Sequence, residues 1–328
     1  MQRGRRRITV AAPTVVAPDA PTLTAPADES DVYPGVAVTV SATVTAGQVP
    51  DRIDFVLDPG VSEEVIATDS ASPFSQSWTP TEAQLGAHTL VARFVYGSGS
   101  VDSTAIDLVV FDPTLDANLV AWLDPNDPAD GAVTTWTARA GSGLWAPTQA
   151  TGGLKPTAVA AAGIAGGNVV RFAAASSQLL VQATGAQNQP CTVLTLVKSA
   201  AANGSIFTVL DGSTVNTRRI YSVAGPAINL YAGEIVAGSG GRILQSAWIK
   251  LGGVFNGASS KIRSYGTVDG TQVTDGDAGA GAATGLTLGS YGGGGGYFDG
   301  DMGHVVVIAR ALSNAEIDRF FAWMNVAP

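Results

Sequence analysis

Hydrophobic and polar residues alternate with a period of two along most of this chain, a pattern that predicts β-strands. The alternation is clear in VAVTVSATVTA at 36–46, RIDFVLD at 52–58 and AHTLVARFVY at 87–96. The segment CTVLTLVKSA at 191–200 is almost wholly apolar, which predicts a strand in the core of a sheet. Turn residues separate these segments at short intervals, as in β-sandwiches.

A helical pattern is found near the end of the sequence. Ser313 and Glu316 have the spacing of a capping box, in which each side chain bonds the backbone of the other residue. The apolar residues that follow recur with helical spacing and form one stripe: Ile317, Phe320, Phe321 and Met324. We therefore expect one short C-terminal helix that packs on a sandwich, with Glu316 in a structural role.

Composition agrees with an all-β protein that has a large core. Hydrophobic residues make up 45% of the 328 residues and charged residues 14%, which excludes a disordered polypeptide. The 40 glycines and 17 prolines suit many turns between short strands. Cys191 is the only cysteine, so no internal disulfide can form, and we expect it to pack within a strand.

The charge distribution sets the start of the chain apart. The net charge is −9, which argues against a nucleic-acid partner, yet four arginines cluster before residue 8: Arg3, Arg5, Arg6 and Arg7. Prolines 13, 18 and 21 favour an extended backbone in the same region. We interpret residues 1–20 as an anchoring arm, with these arginines as the docking residues.

Residues 1–20 also have the basic start of a signal peptide, but Pro13 and Pro18 interrupt a short apolar run. A run of about 18 apolar residues, which would predict a membrane span, is absent from the sequence. The sequence therefore predicts a protein made in a cytoplasm without a signal peptide and with no membrane partner.

Residues 21–111 predict a first β-sandwich. A W-T-P turn at 78–80 and a G-x-H-T-L strand start at 86–90 resemble those of bacterial and phage immunoglobulin-like domains. Residues 112–117, DPTLDA, form a short proline-containing linker.

Residues 118–328 carry a second set of motifs. They begin with W-x-D-P at 122–125 and V-x-x-W at 133–136, and end with WIKLGGVF at 248–255 and YFDG at 297–300. The order of these motifs resembles laminin-G-like, concanavalin A-like jelly rolls. The resemblance implies a jelly-roll sandwich with a short C-terminal helix, from a fold that binds ligands more often than it catalyses reactions.

Catalysis on this fold would need two carboxylates facing one sugar bond. The E-x-D-x-E pattern of retaining hydrolases of this fold is absent, and residues 118–328 contain only two glutamates, Glu234 and Glu316. We therefore expect no enzymatic activity. Asp299 and Asp301 have i, i+2 spacing in what resembles a hairpin turn of the family. Calcium is the only cofactor for which the sequence offers candidate ligands, at this pair, with Asp275 and Asp277 in a glycine-rich loop as another candidate pair.

Aromatic residues in loop-like segments are candidates for stacking on sugar rings. Tyr291 and Tyr297 flank a run of glycines at 292–296, and Trp145 and Tyr231 lie in other loop-like segments. Trp78, Trp122, Trp136 and Trp248 lie in strand patterns, so we expect them in the cores.

These features together predict a non-enzymatic virion structural protein of a tailed phage that decorates the capsid surface and displays a glycan-binding jelly roll. The expected partners are the major capsid or tail protein, further copies of the chain and host-surface glycans. The alternatives are a phage tail or fibre component, a bacterial extracellular lectin-like adhesin and a glycoside hydrolase.

Overall fold

The computed structural model describes residues 17–97, 99–143, 145–185, 187–200, 206–209, 219–222, 227–242, 247–266, 270–281, 284–290 and 296–325. Two compact units divide the chain between Asp112 and Pro113. The arginines of the predicted arm lie outside the described residues. In the described part of the chain, no helix is long and apolar enough to cross a membrane.

The first unit is an immunoglobulin-like β-sandwich. Its strands are β1 (Thr22–Ala25), β2 (Ser30–Val32), β3 (Val38–Thr43), β4 (Arg52–Leu57), β5 (Glu64–Asp69), β6 (Phe74–Trp78), β7 (Gly86–Tyr96), β8 (Gly99–Asp102) and β9 (Ile106–Val110). One sheet has the order β1-β3-β6, and the other has the order β2-β9-β7-β4-β5, with β8 also paired to β7. Alternate residues of the two sheets, such as Val40, Trp78, Phe55 and Phe94, form its core, as the period-2 pattern predicts.

The second unit is a jelly-roll sandwich. Its strands are β10 (Leu119–Leu123), β11 (Gly131–Ala132), β12 (Thr157–Val159), β13 (Val169–Phe172), β14 (Leu180–Gln182), β15 (Cys191–Ser199), β16 (Ile206–Val209), β17 (Arg219–Ser222), β18 (Ala227–Tyr231), β19 (Ile235–Arg242), β20 (Trp248–Phe255), β21 (Ser260–Gly266), β22 (Gly270–Gly276), β23 (Leu286–Leu288) and β24 (Gly300–Ile308). The larger sheet has the order β11-β12-β13-β24-β15-β20-β21-β22, with β10 also paired to β24. The smaller sheet has the order β14-β23-β16-β17-β18-β19.

The two sheets of the second unit pack closely on each other. The strand at 191–199 is buried at nearly every position and lies between β24 and β20, which confirms the prediction of a core strand that contains Cys191. Gly253 faces the smaller sheet: a Cβ atom there would lie 2.7 Å from side-chain carbons of both Ile220 and Leu230. The glycine at this position therefore lets the sheets approach each other.

The opposite face of the larger sheet, called the outer face below, carries the helix α1 (Asn314–Met324). Its start follows the prediction: the Ser313 hydroxyl accepts from Glu316 N, and the Glu316 carboxylate accepts from Ser313 N. The predicted apolar stripe is buried, and Trp323 is buried with it. A Cβ atom on Gly252 of β20 would lie 3.3 Å from Ile317, so the helix packs directly over that strand.

Two sequence predictions for this unit are wrong. The V-x-x-W segment, in which Trp136 was predicted to lie in a strand, is not a regular strand. It forms isolated bridges at Thr135 and Ala140 together with irregularly spaced backbone hydrogen bonds. Of the pair predicted to lie in one hairpin turn, Asp299 does precede β24, but Asp301 is the second residue of β24 and lies on an inner strand of the sheet. A local motif cannot distinguish a turn from a strand start, because that depends on which strands pair with it.

Candidate functional site

The structure places the predicted stacking residues in different environments. Trp145 is 3% exposed and belongs to the core of the second unit, so its ring is not available to a sugar. It is enclosed by two glycines, because a Cβ atom on Gly143 or Gly185 would lie 2.8 Å from its Nε1. The prediction of Trp145 as a glycan contact is therefore corrected.

Tyr231 and Tyr297 are half-buried and lie in different parts of the sandwich. Tyr231 ends β18 of the smaller sheet, whereas Tyr297 precedes β24 of the larger sheet. Tyr291 lies outside the described residues, as do the anchoring candidates Arg3, Arg5, Arg6 and Arg7. The described tyrosines thus do not form one stacking surface.

The predicted calcium pair has a different role. Asp301 is 5% exposed, and its carboxylate accepts from Arg171 Nε at 2.6 Å and from Arg171 Nη2 at 3.0 Å. This bidentate ion pair also raises the pKa of the arginine above its ordinary value, mainly through the hydrogen bonds to Asp301. Among the described residues, no group of three or more His, Cys, Asp or Glu side chains is arranged to hold a metal ion. Both carboxylate oxygens of Asp301 are thus held by Arg171, and the predicted pair with Asp299 is not a free pair of calcium ligands.

A polar and aromatic row crosses the outer face instead. Register pairs Arg171 of β13 with Asp301 of β24, Asp301 with Lys198 of β15, and Lys198 with Trp248 of β20. Because residues directly opposite each other in a sheet share a face, these four side chains follow one another across four strands. The neighbouring residues Val170 and Val197 point into the core, which places the row on the outer side.

Two clefts flank this row. The Asp301 cleft, about 250 Å³, is lined on the outer face by Arg171, Lys198, Asp299 and Asp301. The Trp248 cleft, about 290 Å³, lies beside the end of α1. Its lining residues are Pro125, Asn126, Gly163, Ile164, Gly166, Gly167, Asn168, Leu196, Trp248, Gly303, His304, Met324 and Asn325.

Trp248 was expected in the core but is half-buried and lines this cleft. The sequence does contain a signal that Trp248 lies on the outer face. Trp248 and Lys250 are two residues apart on one strand and must share a face. A lysine on that face indicates that it reaches solvent, whereas Ile249 and Leu251 face the core.

His304, which lines the Trp248 cleft, belongs to a buried aromatic and ionic cluster. His304 is 5% exposed and packs beside Trp122 and Trp323, with ring centroids 6.0 Å and 5.8 Å away, while the two indole rings contact each other edge to face at 4.7 Å. The indole N–H of Trp122 donates to His304 Nδ1. Burial, together with the nearby Arg139 charge, lowers the pKa of His304 to about 4. The ring is therefore neutral at physiological pH.

The carboxylate of Asp124 lies beside His304 and pairs with Arg139. This carboxylate is buried, lies 2.5 Å from Arg139 Nη1 and accepts from Asn126 N at 2.8 Å. Burial raises the pKa of this carboxyl, while the backbone bond and Arg139 act in the opposite direction. Because Arg139 also lies over the Trp122 ring, at 5.2 Å, the ion pair and the aromatic cluster support each other.

The other carboxylates considered for catalysis are also separated. Glu316 caps α1 and pairs with Arg310 at 2.6 Å. Glu234 is exposed in the loop between β18 and β19 of the smaller sheet. The described residues thus do not place Glu234, Asp301 and Glu316 around one sugar bond.

Comparison with known families agrees with this architecture. Residues 21–92 match the model of the bacterial Ig domain, and residues 170–318 match that of the concanavalin A-like lectin/glucanases superfamily. The chain is therefore an immunoglobulin-like domain followed by a concanavalin A-like domain. No match was found among curated proteins.

Solved structures similar to parts of the chain come from several contexts. The fibronectin(III)-like modules of Clostridium thermocellum CbhA are 23% identical over 27% of this chain and 93% of theirs, with a TM-score of 0.24. Domain 4 of AbnA, a GH43 extracellular arabinanase from Geobacillus stearothermophilus, in complex with arabinotriose, is 16% identical over 62% of this chain and 98% of its own, with a TM-score of 0.36. Trypanosoma rangeli sialidase in complex with sialic acid is 12% identical over 73% of this chain and 43% of its own, with a TM-score of 0.39. These values do not identify a ligand or an activity for this chain.

Proposed function

We propose that this protein is a non-catalytic display protein whose concanavalin A-like domain binds glycans on its outer face, with the immunoglobulin-like domain as a spacer. The observation that carries the proposal is the row from Arg171 to Trp248, with a cleft on each side. The row combines an aromatic ring with hydrogen-bonding groups held on strands, which is the chemistry that a sugar-binding surface needs. The carboxylate in this row, that of Asp301, is paired with Arg171, which makes it a poor general acid or nucleophile.

The test of glycan binding uses the full-length protein on an array of immobilised glycans, alongside an assay for reducing ends released from the polysaccharides it binds. We expect binding without release of reducing ends. Asp299→Asn and Glu234→Gln serve as catalytic controls. Release of sugar that disappears in either variant would support the glycoside hydrolase alternative and overturn a non-catalytic role.

We further propose that the protein decorates the surface of a tailed-phage capsid, made in the host cytoplasm and present in several copies. Support comes from the succession of two sandwich domains and from the cluster Arg3, Arg5, Arg6 and Arg7 in a chain with a net charge of −9. A short basic segment suits docking on an acidic shell, because opposite potentials favour association. The major capsid protein is the expected partner.

Co-sedimentation with purified particles tests this assignment. We expect the full-length protein to sediment with tailed particles and with isolated heads, and deletion of residues 1–12 to reduce its incorporation. Recovery with tails alone would favour the tail or fibre alternative. Recovery only as free protein outside bacterial cells would favour a lectin-like adhesin, and undiminished incorporation after the deletion would contradict the anchoring role of the arginines.

A further inference from the structure

We infer that the Trp248 cleft binds one neutral sugar ring, with Trp248 as the stacking surface and Asn168, Asn325 and His304 as hydrogen-bonding groups. This inference rests on the proposed glycan-binding function and names its subsite and ligand class.

Size and charge define the ligand class. The volume of about 290 Å³ is near the lower end of ligand pockets, roughly 300–1,000 Å³, and suits a single ring. None of the described residues that line the cleft is Asp, Glu, Lys or Arg, and the lining histidine is neutral at physiological pH. An ionised ligand would lose its hydration there without gaining an opposite charge, so the cleft favours a neutral ligand.

The apolar side of the cleft suits the C–H face of a sugar. Trp248 begins β20 and is half-buried, so the sheet holds its ring in place while part of it faces the cleft. Met324 of α1 and Leu196 of β15 complete this apolar side. An aromatic ring fixed on a strand loses little conformational entropy when a ligand binds.

The polar side offers both donors and an acceptor. Asn168 Oδ1 accepts from Ala161 N at 3.3 Å, which leaves the amide NH₂ to donate to a ligand. Because His304 Nδ1 accepts from Trp122, the neutral ring carries its proton on Nε2. Asn325 Oδ1 is buried and has no hydrogen-bond partner among the described residues, so it is an acceptor that a ligand can satisfy. Hydroxyl groups both donate and accept, which matches this set.

The loop at 163–167 forms part of the cleft wall. Gly163 N donates to Gly167 O at 2.7 Å and closes the loop. A Cβ atom on Gly163 would lie 2.8 Å from that same oxygen, and Gly166 has a φ of +83°. Glycine is thus required for the tight turn, and the wall is set by the backbone.

The experiment measures binding of D-glucose, D-galactose, D-mannose, N-acetyl-D-glucosamine and D-glucuronate to the full-length protein by ligand-observed NMR titration. We expect a millimolar dissociation constant for at least one neutral sugar and weaker binding of glucuronate. Trp248→Ala should weaken binding at least tenfold, the equivalent of about 1.4 kcal/mol. Tyr265→Ala is the matched control, because Tyr265 is 46% exposed and lines a second cleft beside α1, which shares only Asn325 with the Trp248 cleft.

Each outcome decides between the two proposals. Two outcomes would overturn the cleft assignment and leave the proposed function intact. One is glycan binding that is unchanged in Trp248→Ala, and the other is binding on the array with no binding of any monosaccharide. Glucuronate bound more tightly than every neutral sugar would overturn the ligand class. Absence of binding on both the array and in the titration would remove the proposed function itself. If Trp248→Ala does not fold, Asn168→Ala, which removes the amide donor, gives the same comparison.

Discussion

The indole Nε1–H of Trp122 donates to Nδ1 of His304 across 3.2 Å, between residues 182 positions apart in the chain. This contact sets the tautomer of a buried histidine whose ring lines the Trp248 cleft. It links the stability of the domain to pH, because a proton on Nδ1 would abolish the acceptor that Trp122 uses.

We expect His304 to make the second domain less stable as pH falls below neutrality. Its pKa is about 4 in the folded protein and 6.5 ordinarily, so below pH 6.5 the unfolded chain binds a proton that the folded chain does not. The stabilisation is complete above pH 6.5 and is lost as pH falls towards 4. Between pH 7 and pH 5 the loss should be about 2 kcal/mol.

Denaturant unfolding at a series of pH values measures this loss. His304→Gln is the comparison, since the groups facing the ring, Arg139 and Asp124, remain in both proteins. The difference between the two proteins in how the free energy of unfolding changes with pH gives the contribution of His304. Parallel curves between pH 7 and pH 5 would contradict a buried neutral His304.

The calcium prediction at Asp299 and Asp301 can be tested directly. Because Arg171 occupies both oxygens of the Asp301 carboxylate, neither millimolar calcium nor a chelator should change the melting temperature of the protein. Scanning calorimetry with calcium and with EDTA makes this measurement. A calcium-dependent rise in melting temperature that Asp301→Asn removes would show that the arginine gives way to a metal.

Gly300 should tolerate no side chain. Its φ is +152°, and a Cβ atom would lie 2.2 Å from Lys198 O on the neighbouring strand. Gly300→Ala is therefore expected to destabilise the second domain by about 2 kcal/mol or more. Gly152→Ala is the matched control, because nothing lies within 4 Å of its added Cβ atom. Equal unfolding midpoints for the two variants would contradict this account.

Loss of the helix cap should weaken the attachment of α1. Ser313→Ala removes the hydroxyl that accepts from Glu316 N and should lower the free energy of unfolding by about 1 kcal/mol. Asn314→Ala, at the exposed first position of the same helix, should have little effect. Urea unfolding of both variants compares them, and a loss in Asn314→Ala as large as in Ser313→Ala would exclude capping as the cause.

Local patterns predicted much of the fold. Alternation identified strands such as β3, β4 and β7, an apolar run identified β15, and the capping box located α1. These signals depend on residues only a few positions apart. Family comparison agrees with the predicted order of two domains. The candidate site was predicted less well: Trp145 is enclosed in the core, whereas Trp248 lines a cleft.

The sequence by itself thus determined the all-β class, the strand-rich domains and the start and apolar face of the final helix. Only the tertiary structure decided that Arg171 neutralises Asp301 from 130 positions away, and that Trp122 sets the tautomer of His304. The physical reason is that burial, ion pairing and pKa depend on which strands become neighbours in a sheet. That neighbourhood is set by long-range pairing, which a local sequence pattern does not contain.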